Sequence, residues 1–271
     1  MIKDITLGQY IPGDSFVHKL DPRTKILISL IYIIDLFIVN NFKGYAFIVL
    51  FTGVAVIISK VPFKYIYKGL KPIFILILIT ALLNIFMTSG GRIIFKWHFI
   101  TIYEQGLRLA AFMVIRLIFL IIGTSLLTLT TSPIELTDGI EKLLNPFKKI
   151  GLPAHELAMM MTIALRFIPT LMDETDKIMK AQMARGADFE SGNIIQRAKS
   201  LIPLLVPLFI SSFRRADELA MAMEARCYRG GEGRTRMKQL KFSQRDVVAC
   251  IVIMLLVATS VGSRFWVWLK I

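Results

Sequence analysis

The chain has 271 residues, of which 55% are hydrophobic and 19% charged, too apolar for an ordinary soluble domain and long enough for several membrane spans. Its net charge of +14 has to be read against membrane topology before any nucleic-acid partner, because basic loops beside spans are what orientation requires. Only two cysteines occur, Cys227 and Cys250, without CxxC spacing, so neither a disulfide framework nor a metal, haem or other cofactor is expected.

Residues 1–25 read as a polar lead-in whose acids Asp4, Asp14 and Asp21 are unlike a signal or transit peptide. The lead-in ends in Leu20-Asp-Pro-Arg-Thr-Lys25, where Asp21 can cap a helix and Pro22 has no amide to leave unsatisfied in its first turn. Apolar runs at Ile26–Val39 and Tyr45–Ser59 flank an Asn40-Asn41 turn and read as a transmembrane hairpin. Lys60, Lys64, Lys68 and Lys71 follow, then a third run from Pro72 to about Met87, ended by Thr88-Ser89-Gly90-Gly91. Arg92 to Gln105, with Trp97, Phe99 and Tyr103, mixes aromatics and charges like an interfacial loop. A fourth run covers Leu107–Thr130 and a last one Val247–Val261.

Lys19, Arg23 and Lys25 before the first span, and the four lysines between the second and third, place those segments in the cytoplasm. Alternation then gives five spans: four in residues 1–131, with the N-terminus cytoplasmic, a cytoplasmic segment at 132–245, and one span in 246–271. Arg92, Lys96, Arg108, Arg264 and Lys270 fall outside, so the charge rule holds as a bias. The expected fold is an all-α membrane protein with about five transmembrane helices and a cytoplasmic coupling domain of long amphipathic helices.

Within 132–245, Ser132-Pro133-Ile134-Glu135 opens a helix that stops near Asn145-Pro146. Pro153 opens a long run in which Leu157, Met161, Ala164, Leu165, Ile168 and Met172 recur at helical spacing, with Pro169 expected to bend it. A polar turn at Asp188–Asn193, containing Gly192, precedes a second run from Ile194 to Tyr228 interrupted by Pro203 and Pro207. Leu201–Ile210 is too short for a sixth span, carries both prolines, and sits between Arg197, Lys199 and Arg214, Arg215. It reads as an apolar bend in the interface or against another helix.

The two long runs finish in nearly the same phrase, Ala181-Gln-Met-Ala-Arg-Gly186 and Ala222-Met-Glu-Ala-Arg-Cys227. One reading is two helix caps, since arginine complements a helix C-terminus and glycine stops it. The other is a pair of equivalent plugs for two sockets on a partner, because the guanidinium fork pairs bidentately with carboxylates. Met159, Met160, Met161, Met172, Met179, Met183, Met221 and Met223 concentrate in the same runs. They either fill the space between helices or form an adaptable docking surface.

Catalytic signals are sparse. There is no G-x-x-x-x-G-K-[ST] phosphate loop, and His18, His98 and His155 stand in no metal-binding spacing. Asp35 and Arg116 lie within spans, where charges are costly; they read as an ion pair, a snorkelling arginine or a functional site. A membrane base with a pair of arginine-tipped helices and no nucleotide site describes a mechanical coupler to a pair of ATPases.

Leu20-Asp-Pro-Arg-Thr-Lys25, Ala164-Leu-Arg-Phe-Ile-Pro169, Met183-Ala-Arg-Gly186 and Met223-Glu-Ala-Arg226 together resemble the transmembrane T component of energy-coupling factor (ECF) transporters, the EcfT/CbiQ family. The resemblance implies a vitamin or metal importer of the bacterial cell membrane in which this subunit, itself non-catalytic, joins two ABC-type ATPase subunits to a membrane-embedded substrate-binding S component, dedicated or interchangeable. It makes Ala184, Arg185, Gly186 and Ala225, Arg226, Cys227 the ATPase-docking tips. Cys227 departs from the usual glycine, which moves the expected stop of the second helix toward Gly230-Gly231. The S-component contact is expected at Met159, Met160, Met161, Met172, Leu204 and Leu205. Two rivals stay open: a conventional ABC importer permease, and a membrane-embedded enzyme using Asp35, Arg116 and Asn84. Nucleic-acid binding is set aside because no stacking aromatics accompany the basic charge of Lys142–Arg245 in a patch.

Overall fold

The computed structural model describes residues 10–97, 100–189, 193–230 and 239–268. Phe99, Lys270, Gly231 and Gly192, and Asp4 of the lead-in, lie outside the described residues. Ten α-helices run in chain order among those described: α1 Pro22–Ile38, α2 Phe42–Ser59, α3 Phe63–Leu70, α4 Phe74–Met87, α5 Glu104–Thr130, α6 Pro133–Leu144, α7 Ala154–Ala184, α8 Ile194–Ser200, α9 Ile202–Ala225 and α10 Gln244–Trp268. The segment expected as an interfacial loop instead folds as an antiparallel hairpin, β1 Ile93–Trp97 with β2 Ile100–Tyr103. β-branched and aromatic residues dominate both strands, and period-2 pairing satisfies backbone groups that a loop leaves to solvent.

The helices fall into two compact units, Gly8–Ile140 with Gln239–Ile271, and Glu141–Lys238. In the first, α2, α3 with α4, α5 and α10 are long and apolar enough to cross a membrane. The helix from the first predicted span, α1, has 17 residues, at the short end of what hydrocarbon requires. Many of the apolar side chains on these helices are exposed, above all on α4, where Phe74, Ile75, Leu78, Ile79, Leu82, Phe86 and Met87 all face outward. Such a surface is stable only in lipid or under a partner. These features make the protein an all-α membrane protein, and α9, with its two prolines, is not among the helices suited to span.

The core of this unit joins α1, α2, α5 and α10 through Tyr32, Leu36, Val39, Tyr45, Ile48, Phe112, Ile253 and Leu256. A second cluster, Val56, Val61, Ile66, Leu126 and Leu129, gathers the end of α2, α3 and the end of α5. Close approach of α4 to α5 depends on Gly106, where a β-carbon would stand 2.9 Å from the Asn84 carbonyl oxygen and 3.2 Å from that of Thr88.

The Leu20–Lys25 motif is a buried clasp. Asp21 caps α1 through the Arg23 amide at 2.9 Å, and its own amide donates to Asp246 Oδ1 at 2.8 Å. The other Asp246 oxygen accepts the Ser243 amide at 2.8 Å, so one carboxylate caps α10 and ties it to α1. The Arg23 guanidinium bonds both Asp21 oxygens at 3.1 and 3.0 Å and the Leu240 carbonyl at 3.2 Å, and lies 4.1 Å from the Phe242 ring centre. Lys25 Nζ donates to the carbonyls of His18 (3.0 Å) and Thr130 (2.9 Å), where α5 ends. Asp21, Lys25 and Asp246 are all buried, and each is satisfied as burial demands.

In the other unit α7 packs on α9, with α8 against α9. Four contacts fix the direction. Gln182 Nε2 donates to the Pro203 carbonyl at 3.4 Å. The Ser211 hydroxyl and the Arg215 guanidinium donate to the two oxygens of Glu174, the latter at 2.7 Å. Tyr228 reaches Met159 Sδ at 3.0 Å. Partners late in α7 thus meet partners early in α9 and the reverse, so the two helices are antiparallel. The expected bend at Leu201–Ile210 is a break between α8 and α9 at Leu201, with Pro203 in the first turn of α9 and Pro207 inside it. Pro207 has no amide to offer the carbonyl of Pro203 four residues earlier; Gln182 from α7 occupies that acceptor.

Candidate functional site

α7 and α9 end in the same stop. At α7, the Gly186 amide donates to Met183 O (3.0 Å) and the Ala187 amide to Gln182 O (3.0 Å), with Gly186 at φ +88°. At α9, the Cys227 amide donates to Glu224 O (2.8 Å) and the Tyr228 amide to Met223 O (3.0 Å), with Cys227 at φ +55°. Each is a Schellman closure, two nested bonds satisfying two of the helix's terminal carbonyls around a left-handed residue. The second helix therefore does not run on to Gly230-Gly231. Cys227 takes the left-handed position itself, and Gly230, at φ +86°, makes a separate turn.

Arg185 and Arg226 each sit one residue before that left-handed position, as the caps of their helices. Ala184, Arg185, Gly186, Ala225, Arg226 and Cys227 are all exposed. Among the described residues, neither guanidinium has a hydrogen bond or ion pair within the chain. Because α7 and α9 are antiparallel, the tips lie at opposite ends of the pair, about 36 Å apart for 24 residues at 1.5 Å each. The flanking alanines leave the arginines unshielded, so the chemistry on offer is two separated bidentate donors.

Glu174 sits in mid-pair. The Ser211 hydroxyl, and then the Arg215 guanidinium beside it, hold its carboxyl below the usual glutamate range. Behind the tips lie apolar faces. Met160 and Met161 on α7 are exposed, as are Leu205, Val206, Phe209, Ile210 and Phe213 along α9. Phe209 and Phe213 stack edge-on with ring centres 4.7 Å apart. Met159 and Met172 are half-buried, and Leu204 is buried, so these three support the faces that Met160, Met161 and Leu205 present.

Asp35 and Arg116 do not pair. The Ser260 hydroxyl donates to Asp35 Oδ1 at 2.5 Å, joining α1 to α10. Arg116 donates to Tyr45 Oη (3.2 Å), the Val39 carbonyl (3.3 Å) and Asn40 Oδ1 (3.1 Å). Asn84 bonds the Thr80 carbonyl of its own helix at 2.8 Å. The three side chains proposed for a membrane-embedded enzyme thus take separate partners. What the sequence reading missed is the role of Asp246; Ser243-Gln-Arg-Asp246 has capping-box spacing, a signal that could have found it.

The class is therefore a polytopic helical membrane protein bearing an antiparallel helix pair with two exposed arginine ends. The family of cobalt transport proteins, CbiQ, matches residues 13–237. An energy-coupling factor transporter transmembrane protein EcfT of Clostridium kluyveri is 76% identical over 267 residues, 98% of this chain and 99% of that protein. Proteins of the same description from Thermosediminibacter oceani and Bacillus subtilis are 62% and 54% identical, covering 98% and 95% of this chain and 100% and 97% of theirs. The chain belongs to this EcfT/CbiQ family, the energy-coupling transmembrane components of ECF transporters.

Proposed function

We propose that Arg185 and Arg226 dock into acidic grooves on two separate ABC-type ATPase subunits, and that α7 and α9 transmit ATP-driven motion to a membrane-embedded S component during vitamin or metal-ion uptake. The observation that carries this reading is the duplicated stop: two helices close in the same way and leave the same unpaired arginine at opposite ends of one antiparallel pair. A single cap needs no such repetition, and a permease docking through one coupling helix needs only one tip. Separation by about the length of α9 suits two sockets on two bodies.

In this reading the ATPase pair closes and opens on nucleotide, and the tips follow because each is held by its own subunit. The exposed faces carrying Met160, Met161 and Leu205, backed by Met159, Met172 and Leu204, pass the displacement to the S component. Methionine suits a surface that repacks against more than one partner. The N-terminus and residues 132–245 are cytoplasmic, as the ATPases require.

The test is to purify the tagged chain in mild detergent from cells carrying its partners, beside the double variant Arg185→Glu, Arg226→Glu. Two ATPase subunits and a small membrane protein should accompany the native chain, and the ATPases should be absent from the variant. ATPase subunits retained at native stoichiometry by the double variant would refute the assignment of the tips.

A further inference from the structure

The strongest charge pattern outside the arginine tips surrounds α3. Lys64, Lys68 and Lys71 fall within an arc of about 60° at 100° per residue, directly opposite the buried Ile66. Phe63 and Tyr67 stand exposed on one flank of this basic stripe and Tyr65 on the other. Lys60 adds a fourth charge at the end of α2, where its backbone turns left-handed at φ +54°. All four lysines are exposed, and among the described residues no ion pair joins any of them.

The position of this stripe is set by the helices it borders. Ile66 packs with Val56 and Val61 from the end of α2 and with Leu126 and Leu129 from the end of α5, so three helix ends meet at one boundary of the membrane unit. α3 continues through a 3-10 turn at Lys71–Ile73 into α4, a helical run from Phe63 to Met87 of 25 residues. At 1.5 Å per residue that run is about 37 Å long, against about 30 Å of hydrocarbon. Its lysine-bearing first turns therefore project into the headgroup layer, with the aromatics at the depth where such rings anchor.

From these observations we propose that the lysine face of α3 binds anionic phospholipid headgroups. The occupant follows from charge and continuity. No acidic residue occurs between Asp35 and Glu104, and Asp21 and Asp246, beside the same end of α5, are buried with partners of their own. The stripe lies where the crossing helices leave the membrane, so its nearest surface is the bilayer that those helices already occupy. Four clustered lysines beside a span are what an anionic leaflet attracts.

The experiment is native mass spectrometry of the full-length protein released from nanodiscs containing equal parts phosphatidylglycerol and phosphatidylcholine. Retained phosphatidylglycerol should exceed phosphatidylcholine at least about tenfold, with each lysine replaced by glutamine lowering the preference by up to about fivefold until the two lipids are retained equally. A control with Lys142, Lys149, Lys180 and Lys199 changed to glutamine should keep the native preference. Equal retention of the two lipids by the native protein, or an unchanged preference in the Lys60, Lys64, Lys68, Lys71 variant, overturns the proposal. So does a variant that loses a protein subunit of the complex while its lipid pattern is unchanged, which assigns the face to an acidic protein instead. If the fourfold variant does not fold, the native protein and Lys68→Gln decide: a preference untouched by about 0.5 M salt is not the screened attraction proposed.

Discussion

Arg23 and the pair Arg185, Arg226 belong to motifs of one family, yet their surroundings are opposite. The first has a carboxylate, a backbone carbonyl and an aromatic face around it, all from the chain itself. The others project from helix ends with no acceptor among the described residues. The difference teaches how to separate a structural charge from one left free for the docking proposed above. An arginine whose acceptors are all internal has been desolvated in exchange for fixed bonds, whereas an exposed arginine keeps its hydration until a partner displaces it.

That contrast is broken or sharpened by substitution. The largest effect is expected from charge reversal. Arg185→Glu with Arg226→Glu should abolish ATPase capture while the chain still inserts and elutes as a folded species, whereas Arg23→Glu should remove the folded species itself. Size-exclusion profiles scored beside co-purified subunits distinguish the two, and misfolding of the tip variant would erase the distinction. Single alanine replacements at either tip should weaken capture by about 2–5 kcal/mol, the range for truncating one partner of a close charge pair.

Next in size is the clasp. Asp246→Ala strips the acceptor from two backbone amides, those of Asp21 and Ser243, at about 1–3 kcal/mol each. Thermal unfolding in detergent should shift down, with ATPase capture per folded molecule unchanged. A capture defect exceeding the loss of folded protein would show the clasp to be more than structural.

A smaller effect depends on pH. Glu174 is held below its ordinary range by Ser211 and then Arg215, so its contribution to the α7 and α9 contact is complete above that range. The contribution is lost as pH falls through the lowered folded value. Hydrogen exchange along α7 and α9 should therefore quicken on acidification, and Glu174→Gln should flatten that dependence. Identical profiles for the two proteins would remove Glu174 from the account.

The smallest effect compares the tips with each other. Cys227 adopts a left-handed conformation that disfavours a β-carbon, at about 1 kcal/mol or slightly more, while Gly186 adopts it without that cost. Cys227→Gly should slow exchange of the Tyr228 amide, and Gly186→Cys should quicken that of Ala187. No neighbour crowds a β-carbon at Gly186, so the effect reports backbone preference alone. Equal exchange in all variants would mean that the nested hydrogen bonds alone set the stop.

Much of the fold was legible because lipid and water impose strong one-dimensional patterns. The apolar runs became helices at nearly the expected residues, since a backbone in hydrocarbon has to satisfy itself locally. The capping signals at Asp21 and Ser132 were read correctly for the same local reason, with Glu135 N donating to Ser132 Oγ at 3.3 Å. The hairpin at Ile93–Tyr103 was missed because its aromatics and charges match an interfacial loop equally well. Of the candidate site, the two arginines and their duplication were visible in the chain, but the second stop was misplaced. Glycine is the usual left-handed residue, and nothing in the sequence said that cysteine would accept that role.

What the sequence alone determined is whatever depends on neighbours within a few turns: the apolar helical runs, the helix caps, the repeated Ala-Arg ending and the absence of a phosphate loop. The tertiary structure decided whatever depends on distant partners. Asp246 meets Asp21 across 225 positions, Asp35 takes Ser260 rather than Arg116, and Gln182 occupies the carbonyl that Pro207 leaves open. Long-range pairing is chosen by packing geometry, which no short window contains, and the placement of the two tips at opposite ends of one helix pair was settled in the same way.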